Sequence, residues 1–406
     1  MEAPTPQNTP SIGDIFRCFG EEYIRRSNVS AQEKGIIRLL SACRTPALGA
    51  HVQQCDRCGY WQAACNSCRN RHCPECQYKD REKWFEKRKQ ELLPVSYFHI
   101  VFTVPSRLND IFLQNRKAMY DILFRSASES LLELAKDPVH LGAITGIIAV
   151  LHTWGQNLME HPHLHCMLPA GGFSFDKDQW VHSKNNFFIP VRVISNLFRG
   201  KFCAYLKEAY QNKQLSFSAG LKYFEKSNQF KQLLDRLYKI SWVVYSQGKP
   251  FLRPEHALEY LSRYINRIAI ANRRVLKVEN GRVTFLWKDY RDGKTKRMTL
   301  DVFEFIRRFL LHLLPKGFLK IRYYGIFANR YRKVNVTDAK TILAHEQNLL
   351  KQEYFQDHGD EYINKPQDAL WNELHKLIFD KPFNLCPNCR TGKMVFGGVI
   401  RQQGAG

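Results

Sequence analysis

The stretch Ile144–Leu168, ITGIIAVLHTWGQNLMEHPHLHCML, decides how the rest of the chain is read. Two apolar runs, Ile144–His152 and His163–Leu168, flank a short polar connection and read as adjacent strands. Near the join, Glu160-His-Pro-His-Leu-His-Cys166 sets histidines at alternate positions. Alternate side chains of a strand share a face, so His163 and His165 point the same way. Two imidazoles on one strand leave most of a divalent ion's shell open to phosphate oxygens, as Lewis-acid activation of a phosphodiester requires. Taken alone, the same histidines also read as a structural cluster.

Working outward, Tyr97–Pro105 (YFHIVFTVP) is a β-rich run closed by proline, and helical sequence follows to about Lys136. Downstream, Trp242–Tyr245 reads as a further strand. It precedes a helix from Pro254 to about Ala271 with the apolar stripe Leu258, Leu261, Ile265 and Ile268. Tyr260 and Tyr264 sit four apart on the edge of that stripe, with Arg263 and Arg267 beyond them. Edge tyrosines among arginines suit hydroxyls presented to phosphate; core-edge packing is the plainer alternative. Residues 275–300 alternate around Asn280-Gly281, a hairpin signal. The expected fold is α+β, with a central antiparallel sheet carrying the histidines. The expected domains are 1–93 (helical, with a Cys/His cluster), 94–274 (the part carrying the histidines and tyrosines, with an insertion at about 175–240), 275–335 (basic β/α) and 336–406 (helical, ending in a Cys-x-x-Cys pair).

Residues 55–76 hold Cys55, Cys58, Cys65, Cys68, His72, Cys73 and Cys76. A Cys-x-x-Cys turn places two thiolates about one tetrahedral ion, and a second pair closes the site. Cys55, Cys58, Cys73 and Cys76 match that pattern, with 14 residues between the pairs. Cys65, Cys68 and His72 remain for a second ion, its fourth ligand coming from His51, Cys43 or the distant pair Cys386/Cys389. No open position is demanded, so the zinc reads as structural.

Lys and Arg total 61 against 38 Asp and Glu, a surplus of 23 over 406 residues. A surplus that large calls for a polyanion, nucleic acid first, because phosphate neutralisation supplies most non-specific affinity. No run of eighteen apolar residues exists and the N-terminus lacks a signal peptide's pattern, so a cytosolic protein without disulfides is expected. Around Arg322 and Arg330, cations and aromatics alternate without an acid, which suits stacking and phosphate contacts to single strands.

With these elements in order, the chain resembles the HUH (His-hydrophobe-His) endonuclease superfamily, and within it the rolling-circle transposases of the ninety-one family of bacterial insertion sequences. The stretches that carry the resemblance are Cys65–Gln77, Phe98–Pro105, His152–Leu158 with His161–Cys166, Tyr260–Tyr264, Phe305–Phe318 and Ile321–Arg330. It implies metal-ligating His163 and His165 and catalytic Tyr260 and Tyr264. A third, variable ligand is expected from a neighbouring strand: Gln156 first, His152 second. At Cys65 many relatives have a non-ligand. The implied reaction is transesterification assisted by Mg²⁺ or Mn²⁺, giving a 5′-phosphotyrosine link and a free 3′-OH without ATP. Single-stranded DNA at element ends and target sites is the implied partner, and a bacterial, nucleoid-associated location follows. A replication initiator or relaxase of the same chemistry, and a non-enzymatic zinc-dependent regulator, are the rival readings.

Overall fold

In the computed structural model, which describes residues 10–184, 188–246, 250–265, 269–289, 292–358 and 386–400, the chain opens on two capped helices, α1 (Ile12–Arg26) and α2 (Ala31–Ala42). Each starts with a reciprocal capping box, Ser11 with Asp14 and Ser30 with Glu33, which satisfies N–H groups the helix cannot. A hairpin of β1 (Ala50–Cys55) and β2 (Trp61–Cys65) follows, then α3 (Pro74–Lys89). Next come β3 (Tyr97–Thr103), α4 (Asn109–Gln114), α5 (Arg116–Lys136), β4 (Gly146–Trp154) and β5 (Glu160–Pro169). A small ribbon, β6 (Gly171–Phe173) with β7 (Trp180–His182), leads to α6 (Val191–Gln211) and α7 (Ser227–Lys239). Then follow β8 (Val244–Ser246) and α8 (Pro254–Ile265). The meander β9 (Val275–Glu279), β10 (Arg282–Lys288) and β11 (Thr295–Asp301) runs into α9 (Val302–Leu310). The last elements are β12 (Ile321–Gly325), α10 (Arg332–His358) and β13 (Met394–Ile400).

The main sheet has the order β12-β4-β5-β3-β8, with every neighbouring pair antiparallel. Alternation along its strands divides their side chains between two faces. Phe98, Ile100 and Phe102 of β3, Ile147, Ala149 and Leu151 of β4, and Leu164, Cys166 and Leu168 of β5 form one apolar face. They are buried with α5 (Leu123, Leu131) and α6 (Phe198, Phe202). The segment read as an insertion therefore supplies α6 to the same core. The opposite face is apolar where Ile148, Val150 and Met167 lie under Ala257 and Leu261 of α8 and Val336 and Ala339 of α10. It also carries the histidines.

The N-terminal helices pack on the meander rather than standing alone. Phe16 meets Phe309 edge to face at 5.2 Å between ring centroids, within a cluster that includes Val283, Phe285 and Phe305. The Asn280-Gly281 hairpin forms as read, both residues taking positive φ (50° and 70°) as a type I′ turn requires. At the other end of the chain β13 returns to pair with β1, giving a three-stranded sheet β13-β1-β2. Among the described residues no helix is long and apolar enough to cross a membrane.

Gly325 closes β12 against Gly146 of β4 with φ +59°, and a Cβ there would lie 2.0 Å from the Thr145 carbonyl oxygen. Backbone sits in that place, so no rotamer change relieves the clash. Gly325→Ala is expected to lower stability by at least about 2 kcal/mol, read as a lower melting temperature. Unchanged melting would show that this edge is not packed as described.

Candidate active site

The histidine site is built by register. β5 lies between β4 and β3, so His163 faces His152 on one side and Thr103 on the other, while His165 faces Val150 and Val101. The ligand nitrogens of His152, His163 and His165 lie within 4.8 Å of one another. His163 donates from Nδ1 to the His161 carbonyl oxygen at 2.7 Å, which leaves its Nε2 lone pair for a ligand. Burial pushes the His163 imidazole down to about 4, so it is neutral at pH 7, as a metal ligand must be. His99 of β3 stands on the same face, and its Nε2 is 2.9 Å from Nδ1 of His165. Burial likewise pushes His99 down to about 4. For His165 to ligate through Nε2 it must donate its Nδ1–H to His99, so His99 selects the tautomer.

The third member of this group is His152, the second choice on sequence. Gln156, the first choice, lies in the turn after β4, where its carbonyl accepts a hydrogen bond from Arg274 at 2.6 Å. Three imidazoles converging from two paired strands suit a divalent transition ion. That donor set fits the implied metal, with nitrogen in place of the amide oxygen.

Helix α8 packs on this face through Ala257 and Leu261, which carries Tyr260 to the site. The Tyr260 ring meets His99 edge-on at 4.7 Å and Phe251 at 5.3 Å. The side chains of Tyr264 and Arg263, and all of Arg267, lie outside the described residues. Three residues not among the expected site residues surround the histidines, one of them, Lys320, from the basic and aromatic stretch read as suited to DNA. Trp154 stacks on His152 at 4.6 Å, Lys320 lies 4.9 Å over the Trp154 ring, and exposed Tyr245 of β8 is 6.4 Å from His99. Of the other two arginines expected on DNA, Arg322 is paired with Asp121 and lies 4.2 Å over Phe124, so packing accounts for its position. Arg330 is exposed, 5.1 Å over Tyr331.

The cysteines do not group as spacing alone predicts. Cys43, Cys68, Cys73 and Cys76 form one set, with Sγ–Sγ distances of 3.5 to 3.7 Å. Cys55 and Cys58 join Cys386 and Cys389 in another. The expected quartet of Cys55, Cys58, Cys73 and Cys76 is therefore corrected, and the hairpin is the reason. Cys55 ends β1 at the turn, whereas Cys65 ends β2 opposite Ala50, at the far end of the ribbon. The six residues of β1, at roughly 3.3 Å each, hold the two knuckles too far apart to share an ion. Cys65 and His72 belong to neither set, and His51 instead hydrogen-bonds Asn66 at 2.7 Å. His72 is buried, its imidazole pushed down to about 3 by burial.

Comparison with known proteins agrees with this layout. A family model described as "Transposase zinc-binding domain" matches residues 15–104, and one described as "Putative transposase" matches residues 146–335. The chain is 44% identical, over 96% of both chains, to "Putative transposase y4qJ" of Sinorhizobium fredii (strain NBRC 101917 / NGR234). It is 28% identical, over 81% of this chain and 78% of the other, to "Transposase for insertion sequence element IS801" of Pseudomonas savastanoi pv. phaseolicola. No solved structure matches.

If each group holds an ion, Cys43 would be a ligand and Cys65 would not. In protein purified without added zinc, Cys43→Ser is expected to lower the zinc content by up to one equivalent. Cys65→Ser should leave it unchanged. Equal loss in both variants, by elemental analysis, would contradict the grouping.

Proposed function

The chain belongs to the IS91 transposase family, and on that premise we propose that it cuts and rejoins single-stranded DNA by metal-assisted transesterification through a 5′-phosphotyrosine link. The observation that carries the proposal is the convergence of His152, His163 and His165 on one sheet face, with Tyr260 of α8 brought to that face through His99. The zinc-binding region grips and frames; the chemistry belongs to the main sheet.

In this reading His163 and His165 would hold a divalent ion with His152 as third ligand. The chemistry it would supply there is Lewis-acid polarisation of the scissile phosphate. The hydroxyl of Tyr260 or Tyr264 attacks phosphorus in line. The new bond is tyrosine O–P, the broken bond is P–O3′, and the tyrosine's proton ends on the departing 3′-oxygen. A free tyrosine has a pKa of about 10 and is a poor nucleophile at neutral pH, so charge withdrawal at phosphorus is what makes the step feasible. One phosphodiester is exchanged for another, so the reverse reaction joins strands without ATP. Two tyrosines a helical turn apart let two strand ends be held in sequence, as rolling-circle transposition requires.

His99 and Lys320 have supporting parts. His99 holds the His165 tautomer and gives the Tyr260 ring an edge to rest against. Lys320 over Trp154, with exposed Tyr245 on the outer strand, offers a cation and two aromatic surfaces beside the site for phosphate and unstacked bases. Arg330, and Arg263 and Arg267 beside the tyrosines, add cations along the strand's path.

Three imidazoles form a softer site than carboxylates would, so Mn²⁺ is expected to support cleavage of a single-stranded oligonucleotide at lower concentration than Mg²⁺. His152→Ala and His163→Ala are each expected to cut the rate at least about 100-fold, while binding to DNA, which rests on the lysines and arginines, stays near wild type. Gln156→Ala should have the smaller effect. Nicking assays run beside filter binding check this; full activity in a His163/His165 double variant would remove the metal site from the sheet.

A further inference from the structure

The cysteine set at the turn of the β1–β2 hairpin takes half its members from residues outside the matched zinc-binding region. We propose that Cys55, Cys58, Cys386 and Cys389 hold a second zinc ion that clamps the C-terminal strand β13 onto β1. The two pairs come from positions 328 residues apart, yet Cys58 and Cys386 bring their sulfurs to 3.5 Å and Cys55 and Cys389 to 3.7 Å. Four thiolates placed tetrahedrally at about 2.3 Å from zinc are about 3.8 Å from one another, so the spacing is that of a common ion. Four sulfurs leave no open position, which makes the site structural.

The surroundings are arranged for thiolates. Backbone N–H groups of Arg57 and Cys58 donate to Sγ of Cys55 at 3.4 Å, and Gly392 N–H donates to Sγ of Cys389 at 3.2 Å. A Cβ on Gly392 would lie 2.3 Å from the Cys55 sulfur, so a side chain there excludes it. Among the described residues the buried apolar cluster of this sheet is small, Cys55, Cys386 and Met394. Trp61 and Phe396, on its two faces, remain 65% and 67% exposed. Backbone hydrogen bonds to an otherwise open strand edge are marginal by themselves, and the ion supplies the missing free energy. The buried set of Cys43, Cys73 and Cys76, by contrast, sits inside the apolar cluster of α1, α2 and α9.

The test uses the full chain, loaded with zinc and exposed to increasing chelator. Cysteines that become reactive are mapped by alkylation and mass spectrometry while released zinc is counted. Cys55, Cys58, Cys386 and Cys389 are expected to become reactive together as one equivalent leaves, before Cys43, Cys68, Cys73 and Cys76. Residues 386–400 should become protease-sensitive at that same point. The double change Cys386→Ser/Cys389→Ser is expected to unmask Cys55 and Cys58 alone and to lower the zinc content by one equivalent. Cys55 and Cys58 reacting in step with Cys73 and Cys76, or remaining protected after Cys386 and Cys389 have reacted, would overturn the clamp.

Discussion

The antiparallel register that holds β5 between β4 and β3 is the constraint from which the active site follows. It sets His163 opposite His152 and places His99 one diagonal step from His165. Because strand side chains alternate, a slip of one residue would send His163 and His165 into the aliphatic face against α5 and α6. The register is pinned by that same face. Phe98, Ile100 and Phe102 with Leu164, Cys166 and Leu168 are buried and cannot trade places with histidines. Apolar burial on one side of the sheet therefore positions polar groups on the other.

Much of this was legible in the residues, and the exceptions share a cause. Period-2 alternation placed His163 and His165 on one face, and the four-residue spacing marked the tyrosine helix, because both patterns are local. His99 was invisible as a partner of His165, since only strand pairing across 66 residues brings them together. Of the two expected third ligands, His152 lies within β4 and groups with His163 and His165, whereas Gln156 lies in the turn beyond the strand; where β4 ends is not a local pattern. Spacing misled most for the cysteines. The hairpin between Cys55 and Cys65 separates neighbouring knuckles, while folding joins Cys43, and the pair at 386 and 389, from a distance.

The basic surplus is distributed with a division of labour. Some of the cations are committed to the fold, as Arg322, expected on DNA, is to Asp121, and as Arg71 is to the Phe318 carbonyl. Others, such as Lys320 beside Trp154, lie next to the histidines. Electrostatic attraction over the whole surface serves to gather DNA. In the proposed reaction, stacking and metal coordination at one sheet face would then select a strand and a phosphate. The transposase identity accounts for why gripping and cutting reside in one chain.

The most direct test of the central claim is to trap the protein on a single-stranded oligonucleotide with Mn²⁺, digest with protease and sequence the DNA-linked peptide by mass spectrometry. The account predicts a phosphotyrosyl bond on Tyr260 or Tyr264, joined to the 5′ end of the cleaved strand, and no adduct when both are phenylalanine. An adduct on another residue, a link to a 3′ phosphate, or cleavage that leaves no covalent species would contradict it.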